Sequence, residues 1–175
     1  MEQNLKAGER HRLLDAIGIH YWLPKQTSSF LRSENPIFCA TCLVLLPQKL
    51  SKDSEQYKTL TGMLKILSIN TETLCVAWIS EQLKPEQYPR LKLSLAEWAP
   101  YKVLIMGEAL SQDLLESNKT IDELRIEDQK FQEISFQVTY HPDELQKAPE
   151  HKAKAYKDLL RLKEELLMVR EPWLL

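Results

Sequence analysis

The residues of this chain with the chemistry to act as ligands, acids or bases fall into two groups. Cys39 and Cys42 have the spacing of a metal-binding or redox pair, with Cys75 as the third thiol. Glu81, Glu108, His141, Asp143 and Glu144 follow apolar runs, and loops that brought them together would supply a general acid and a general base. The cysteine pair lies within the apolar run 38–46, with no second such pair and no nearby His to complete a ligand set. It therefore reads as buried thiols of a strand. Three cysteines, an odd number set in apolar segments, fit reduced thiols better than a disulfide framework. Only Gly8, Gly18, Gly62 and Gly107 occur, too few and too scattered for a phosphate-cradling loop or a dinucleotide fingerprint. No cofactor and no metal is expected.

Loops can gather such residues only if a sheet carries them. Apolar runs at 38–46, 74–79, 101–106 and 134–140 read as four strands. Between the first two, Tyr57, Leu60, Met63, Leu64 and Leu67 recur at helical steps. Residues 82–89 carry two prolines and read as a loop, 91–98 as a short helix, 109–115 as the start of another, and 116–130 as a polar excursion. Pro149 opens the closing helix, in which Tyr156, Leu159, Leu160, Leu166 and Leu167 form the expected apolar stripe. Strands joined by helical crossovers predict a three-layer α/β/α domain around a mainly parallel four-stranded sheet. Ligands of such sheets bind beyond the carboxyl ends of the strands, where the titratable group above would collect.

The first 36 residues differ from the rest. Leu13, Leu14 and Ile17 share a helical face that Gly18 ends. Ile19, Tyr21, Trp22 and Leu23 then crowd a short connector before a Ser-containing polar tether. The chain thus divides into an arm, 1–36, and an α/β domain, 37–175; Tyr21 and Trp22 could fold back on the domain, but their place between a short helix and a polar tether suits anchors for a partner better. Lys and Arg total 23 against 25 Asp and Glu, a net charge of -2 that provides no general attraction for nucleic acid. Any direct nucleic-acid contact is expected to be weak. The absence of a long apolar run predicts a cytoplasmic protein without a membrane segment.

The residues from Val138 through His141 and Pro142 to Leu160 resemble the closing motif of uracil-DNA glycosylases, a strand ending in His-Pro before a Lys-rich helix start. Residues 60–69 resemble that family's first crossover helix, and 102–109 its third strand and turn. The family's first motif, Gly-Glu-Ala-Pro-Gly or Gly-Gln-Asp-Pro-Tyr, would fall at 47–51, which reads Pro-Gln-Lys-Leu-Ser. Its uracil-reading Asn would fall near Ala77 and Trp78, neither of which can pair with a base edge. His141 and Pro142 alone match the family's site, and three cysteines fall short of its iron–sulfur members' four. The arm is similar to the N-terminal LxxxGIxxW element of the psi subunits of bacterial DNA polymerase III, through Leu14, Gly18, Ile19 and Trp22. That resemblance implies a non-catalytic replication subunit. Leu14, Ile17, Gly18, Ile19, Tyr21 and Trp22 would dock on the clamp-loader ATPase (gamma/tau). The domain would hold the chi subunit and so reach single-stranded-DNA-binding protein. A divergent glycosylase using His141 is the alternative.

Overall fold

The computed structural model describes residues 31–33, 41–67, 74–79, 83–98 and 100–170. Along the chain these form β1 (Leu31–Ser33), β2 (Cys42–Leu46), α1 (Glu55–Leu67), β3 (Leu74–Ile79), α2 (Tyr88–Trp98), β4 (Lys102–Met106), α3 (Glu108–Leu115), α4 (Ile121–Leu124), β5 (Gln129–Phe131), β6 (Ile134–Thr139), α5 (Pro142–Lys147) and α6 (Lys152–Arg170). Single 3₁₀ turns, Pro85–Gln87 and Pro149–His151, lead into α2 and α6. The helix 9–17, the connector and anchors up to residue 30, Cys39, Glu81 and the tail 172–175 lie outside the described residues, whereas 31–33, expected as part of the arm, form β1 of the sheet.

β2 and β4 are buried at every position, as strands covered on both faces must be. They form the centre of a six-stranded mixed sheet of order β1-β3-β2-β4-β6-β5. β3, β2, β4 and β6 run parallel, while β1 and β5 pair antiparallel at the two edges. The sheet is thus mixed and six-stranded where a mainly parallel four-stranded one was expected; β1 and β5 are each only three residues long, in stretches whose polarity suggested tether or loop. Leu31 of β1 is buried against the sheet, and Gln132 adopts a left-handed φ of 53° that turns β5 back into β6.

The two faces of the sheet carry separate apolar clusters. On one, Leu60, Met63 and Leu67 of α1 meet Leu145 of α5 and Ala155, Leu159, Leu162 and Leu166 of α6 over Val44, Leu104 and Val138. On the other, Tyr88, Leu91 and Leu95 of α2 join Leu110 and Leu114 of α3 over Leu43, Val103, Ile105 and Phe136. The sheet therefore has helices on both sides, with the active loops of any site left to its ends.

Several boundaries differ from expectation for identifiable reasons. α2 begins at Tyr88, because Pro89 fits the first turn of a helix, where its missing N–H costs nothing. The polar stretch 116–130 contains α4, opened by Thr120, whose backbone N–H donates to the Glu123 carboxylate at 2.8 Å. In α6 the buried stripe is Ala155, Leu159, Leu162 and Leu166, while Tyr156 and Leu167 face solvent. Leu159 and Leu166 of the expected stripe thus face the sheet, and Ala155 and Leu162 complete that face. Among the described residues no helix is long and apolar enough to cross a membrane.

Candidate functional site

The carboxyl ends of β2, β4 and β6 open into a cleft of about 610 Å³. Residues 47–51, which follow β2, form one wall with Ser54 and Gln56 at the start of α1. Gly107, Glu108 and Ala109 form the floor, and His141, Asp143 and Glu144 the opposite wall. The volume lies in the range of small-molecule sites. Four of the five titratable residues singled out in the sequence, Glu108, His141, Asp143 and Glu144, are gathered here.

His141 is placed by two features. The Thr139 carbonyl accepts from the Gly107 N–H at 2.9 Å, which ties the end of β6 to the turn after β4. Gly107 has φ 103°, open to glycine but strained for other residues, and a Cβ there would lie 3.3 Å from that of His141. The imidazole then caps α5. Its Nδ1 accepts from the Asp143 N–H at 3.2 Å, while the His141 N–H donates to Glu144 Oε2 at 2.8 Å. An accepting Nδ1 carries no proton, so the neutral ring holds its proton on Nε2, which is buried without a partner among the described residues. Burial lowers the pKa of His141 against the opposing pull of Glu144 and Asp143. The ring is therefore a neutral donor. Its basic nitrogen is already used by the cap.

The carboxylates are committed as well. Glu108 Oε2 accepts from the Ile121 N–H at 2.7 Å, so this residue pins α4 beside the cleft. Asp143 pairs with Lys147 at 2.5 Å and accepts from Gln56 Nε2 at 3.4 Å, and these contacts lower its pKa. At the mouth, Lys49 lies 5.0 Å over the ring of Trp78, a cation–π contact that shields the residue at the expected base-reading position. Ala77, beside it, is fully buried on the other face. Even with Lys147 offsetting Asp143, the rim carries Glu108 and Glu144 against Lys49 and remains negative.

Behind the cleft, a buried lock holds β6 to α6. The Arg125 guanidinium grips Asp158 through Nε at 2.9 Å and Nη2 at 2.8 Å, and Nη2 also donates to the Lys154 carbonyl at 2.9 Å. Thr139 Oγ1 donates to Asp158 Oδ2 at 3.0 Å, and Gln137 Nε2 to the Asp158 carbonyl at 2.7 Å. Burial raises the pKa of Asp158, and Arg125 opposes that shift. Tyr140 is held between the Arg125 guanidinium, 5.5 Å from its ring, and the stacked His151 ring at 4.5 Å, with its hydroxyl donating to Asp122 at 2.6 Å. The lock itself left no signal in the sequence, because a buried ion pair has no local pattern. A second charged knot lies at the other end of the sheet, where buried Lys102 bonds both Asp128 and Glu165.

The paired thiols resolve differently. Cys42 is fully buried in β2 with its pKa pushed up to about 12, and Cys75 in β3 is raised to about 11, both chiefly by burial. Protonated thiols of this kind are poor nucleophiles and poor ligands. Cys39 lies outside the described residues, as do the arm positions Leu14, Ile17, Gly18, Ile19, Tyr21 and Trp22. Pro142 is buried in the first turn of α5, directly after His141.

No protein-family model matches this chain, and no curated protein is significantly similar to it.

Proposed function

We propose that this chain is a non-catalytic accessory subunit of the psi kind in a bacterial DNA polymerase III holoenzyme. Its arm docks on the clamp-loader ATPase through Leu14, Ile17, Gly18, Ile19, Tyr21 and Trp22, and its α/β body holds chi and, through chi, reaches single-stranded-DNA-binding protein. The body in this reading is a uracil-DNA-glycosylase-like fold whose site has lost its chemistry. Four central parallel strands, helices on both faces, and a His-Pro pair at the end of β6 support that reading of the fold.

The observation that carries the proposal is the state of the strand-end cleft. A glycosylase must seat a polyanion over this opening and direct a base at the sugar. Here the rim is negative, the wrong sign for phosphate. The imidazole's basic nitrogen caps a helix, and Glu108, Asp143 and Glu144 each serve a fold contact. Groups so engaged hold structure together rather than move protons.

The test is gel filtration of the full chain with clamp-loader ATPase subunits and with chi. Co-elution with both is expected, and Trp22→Ala should weaken loader binding by about 2 kcal/mol or more, roughly thirtyfold. Failure to associate with either partner overturns the proposal.

One observation favours a second reading. The 610 Å³ cleft is open and lined by His141, as a divergent base-excision enzyme would require. That reading predicts cleavage of a uracil- or damage-containing oligonucleotide that His141→Ala abolishes. No turnover across several damaged bases removes it.

A further inference from the structure

α6 keeps apolar side chains on its outer surface. Its inward face meets the sheet through Ala155, Leu159, Leu162 and Leu166, yet Tyr156 is 50%, Leu167 46% and Met168 77% exposed, with Leu160 half-buried among them. At ~100° per residue, Tyr156, Leu160 and Leu167 fall within about 40° of arc, so they form one stripe along the helix. Beside it lies α1, packed on both α5 and α6. Thr59 Oγ1 accepts from Gln146 Nε2 at 3.2 Å, which turns this flank of α1 toward α5 and α6. Gly62 and half-buried Ile66 share the flank, and a Cβ added at Gly62 would meet nothing within 4 Å. The two helices thus present an apolar strip with open space above it, and contiguous exposed apolar surface within a polar border marks an interaction site.

The border of the stripe is basic. Of the acids on α6, Asp158 bonds Arg125 and Glu165 bonds Lys102, which leaves Glu164. Lys154 and Arg161 pair with Asp122 and Asp128, whereas Lys152, Lys157 and Lys163 have no ion pair among the described residues. Three lysines against one glutamate therefore surround Tyr156, Leu160 and Leu167, on a chain whose overall charge is -2. That contrast decides between occupants. A second copy packed antiparallel about a two-fold at Leu160 would set Lys157 against Lys163 of the other chain, like charges that oppose pairing. A nucleic acid would use the lysines and leave the apolar stripe in water. A helix whose own apolar stripe is bordered by carboxylates satisfies both features.

We propose that the outer face of α6, continued onto α1, docks an acidic amphipathic helix of another protein. Aliphatic side chains of that helix lie along Tyr156, Leu160 and Leu167, and its flanking Glu or Asp residues meet Lys152, Lys157 and Lys163. The inference goes beyond the reading of the chain as a replication subunit and does not rest on it, because the stripe and its border alone define the partner.

Fluorescence anisotropy of a labelled synthetic helix of about five turns, titrated with the full chain, tests this. The probe carries Leu at heptad positions a and d, Glu at e and g, where like charges keep it from pairing with itself, and Ala or Gln elsewhere. Saturable binding is expected, with a matched probe bearing Lys at e and g bound about tenfold more weakly. Tyr156→Ser with Leu167→Gln, at two exposed positions outside the core, should weaken binding of the Glu probe about tenfold. Lys157→Glu with Lys163→Glu should reverse the preference between the two probes. No saturation below about 1 mM, equal affinity for the two probes, or affinity indifferent to either pair of substitutions overturns the proposal. So does a dimer of the chain that Tyr156→Ser with Leu167→Gln dissociates, which assigns the face to a second copy. A single-stranded oligonucleotide that binds these lysines more tightly than the Glu probe does assigns it to nucleic acid and overturns the proposal equally. No replication protein is used, so the outcome is separate from that of the co-elution assay.

Discussion

Arg125→Met should be severely destabilising. Asp158 is 4% exposed and sits between α6 and the end of β6, held by two guanidinium bonds and by Thr139. Met keeps much of the length and apolar stem of Arg125 but removes its charge, its bond to the Lys154 carbonyl and its contact over Tyr140. Leaving one member of a buried pair uncompensated costs about 3–5 kcal/mol, a large part of the roughly 5–15 kcal/mol that holds a domain together. Urea denaturation followed by far-ultraviolet circular dichroism measures the loss directly, provided that the slope with denaturant is unchanged. The deficit should also depend on pH. Without the guanidinium, burial of the Asp158 carboxyl is opposed only by the Thr139 hydrogen bond and the Arg161 charge, so its pKa rises further and the folded variant binds a proton more readily than its unfolded chain. A raised acid contributes stability at low pH that is lost as pH rises through the folded value, so the gap from wild type is widest near neutrality and narrows in acid. Adding Asp158→Asn, which removes the charge and keeps an acceptor for Thr139, should recover most of the loss. A deficit below about 1 kcal/mol, or a double variant equal to the sum of the singles, refutes this account of the lock.

Gly107→Ala forces a side chain into a backbone of φ 103° against His141, and a loss of about 1–3 kcal/mol is expected in the same denaturation assay. Full stability there would show that the turn relaxes freely. His141 has a lowered folded pKa, so its neutral form is favoured by the fold. The unfolded chain gains a proton first as pH falls below about 6.5, and stability declines across that window until the folded ring also titrates. His141→Asn, which caps but does not titrate, should flatten the decline between pH 7 and pH 5, and an unchanged slope would contradict the assignment. Cys42 and Cys75, raised to about 12 and about 11, should resist alkylation in the native chain and react once urea unfolds it, as peptide mass mapping will read.

The parts of the fold legible in sequence are those where one physical demand dominates. β2 and β4 must be apolar throughout because both of their faces are covered, and α1 shows its period because one side meets the sheet. β1 and β5 escaped notice because three residues cannot display a period, and their strand state is imposed by the edges on which they pair. α4 was readable in principle: Thr120 and Glu123 form a capping box in the midst of polar residues. In the cleft, the gathering of Glu108, His141, Asp143 and Glu144 followed from strand order alone. Their roles did not, since the cap at His141 and the contact from Glu108 to the Ile121 N–H depend on backbone directions that only the folded chain supplies. The Arg125–Asp158 lock joins residues 33 apart and left no trace in local pattern.

The two short outer strands decide how this sheet can meet other molecules. An open parallel sheet presents long rows of unpaired amides on which any extended peptide can add. Here β1 and β5 cover Ala77–Ile79 of β3 and Ile134–Phe136 of β6 with reversed segments of three residues, too short to template another strand. Self-association by strand exchange and opportunistic peptide capture are both disfavoured by the same device. Contacts with other proteins are thereby directed to helix faces, loops and grooves, where side-chain identity rather than bare backbone selects the partner.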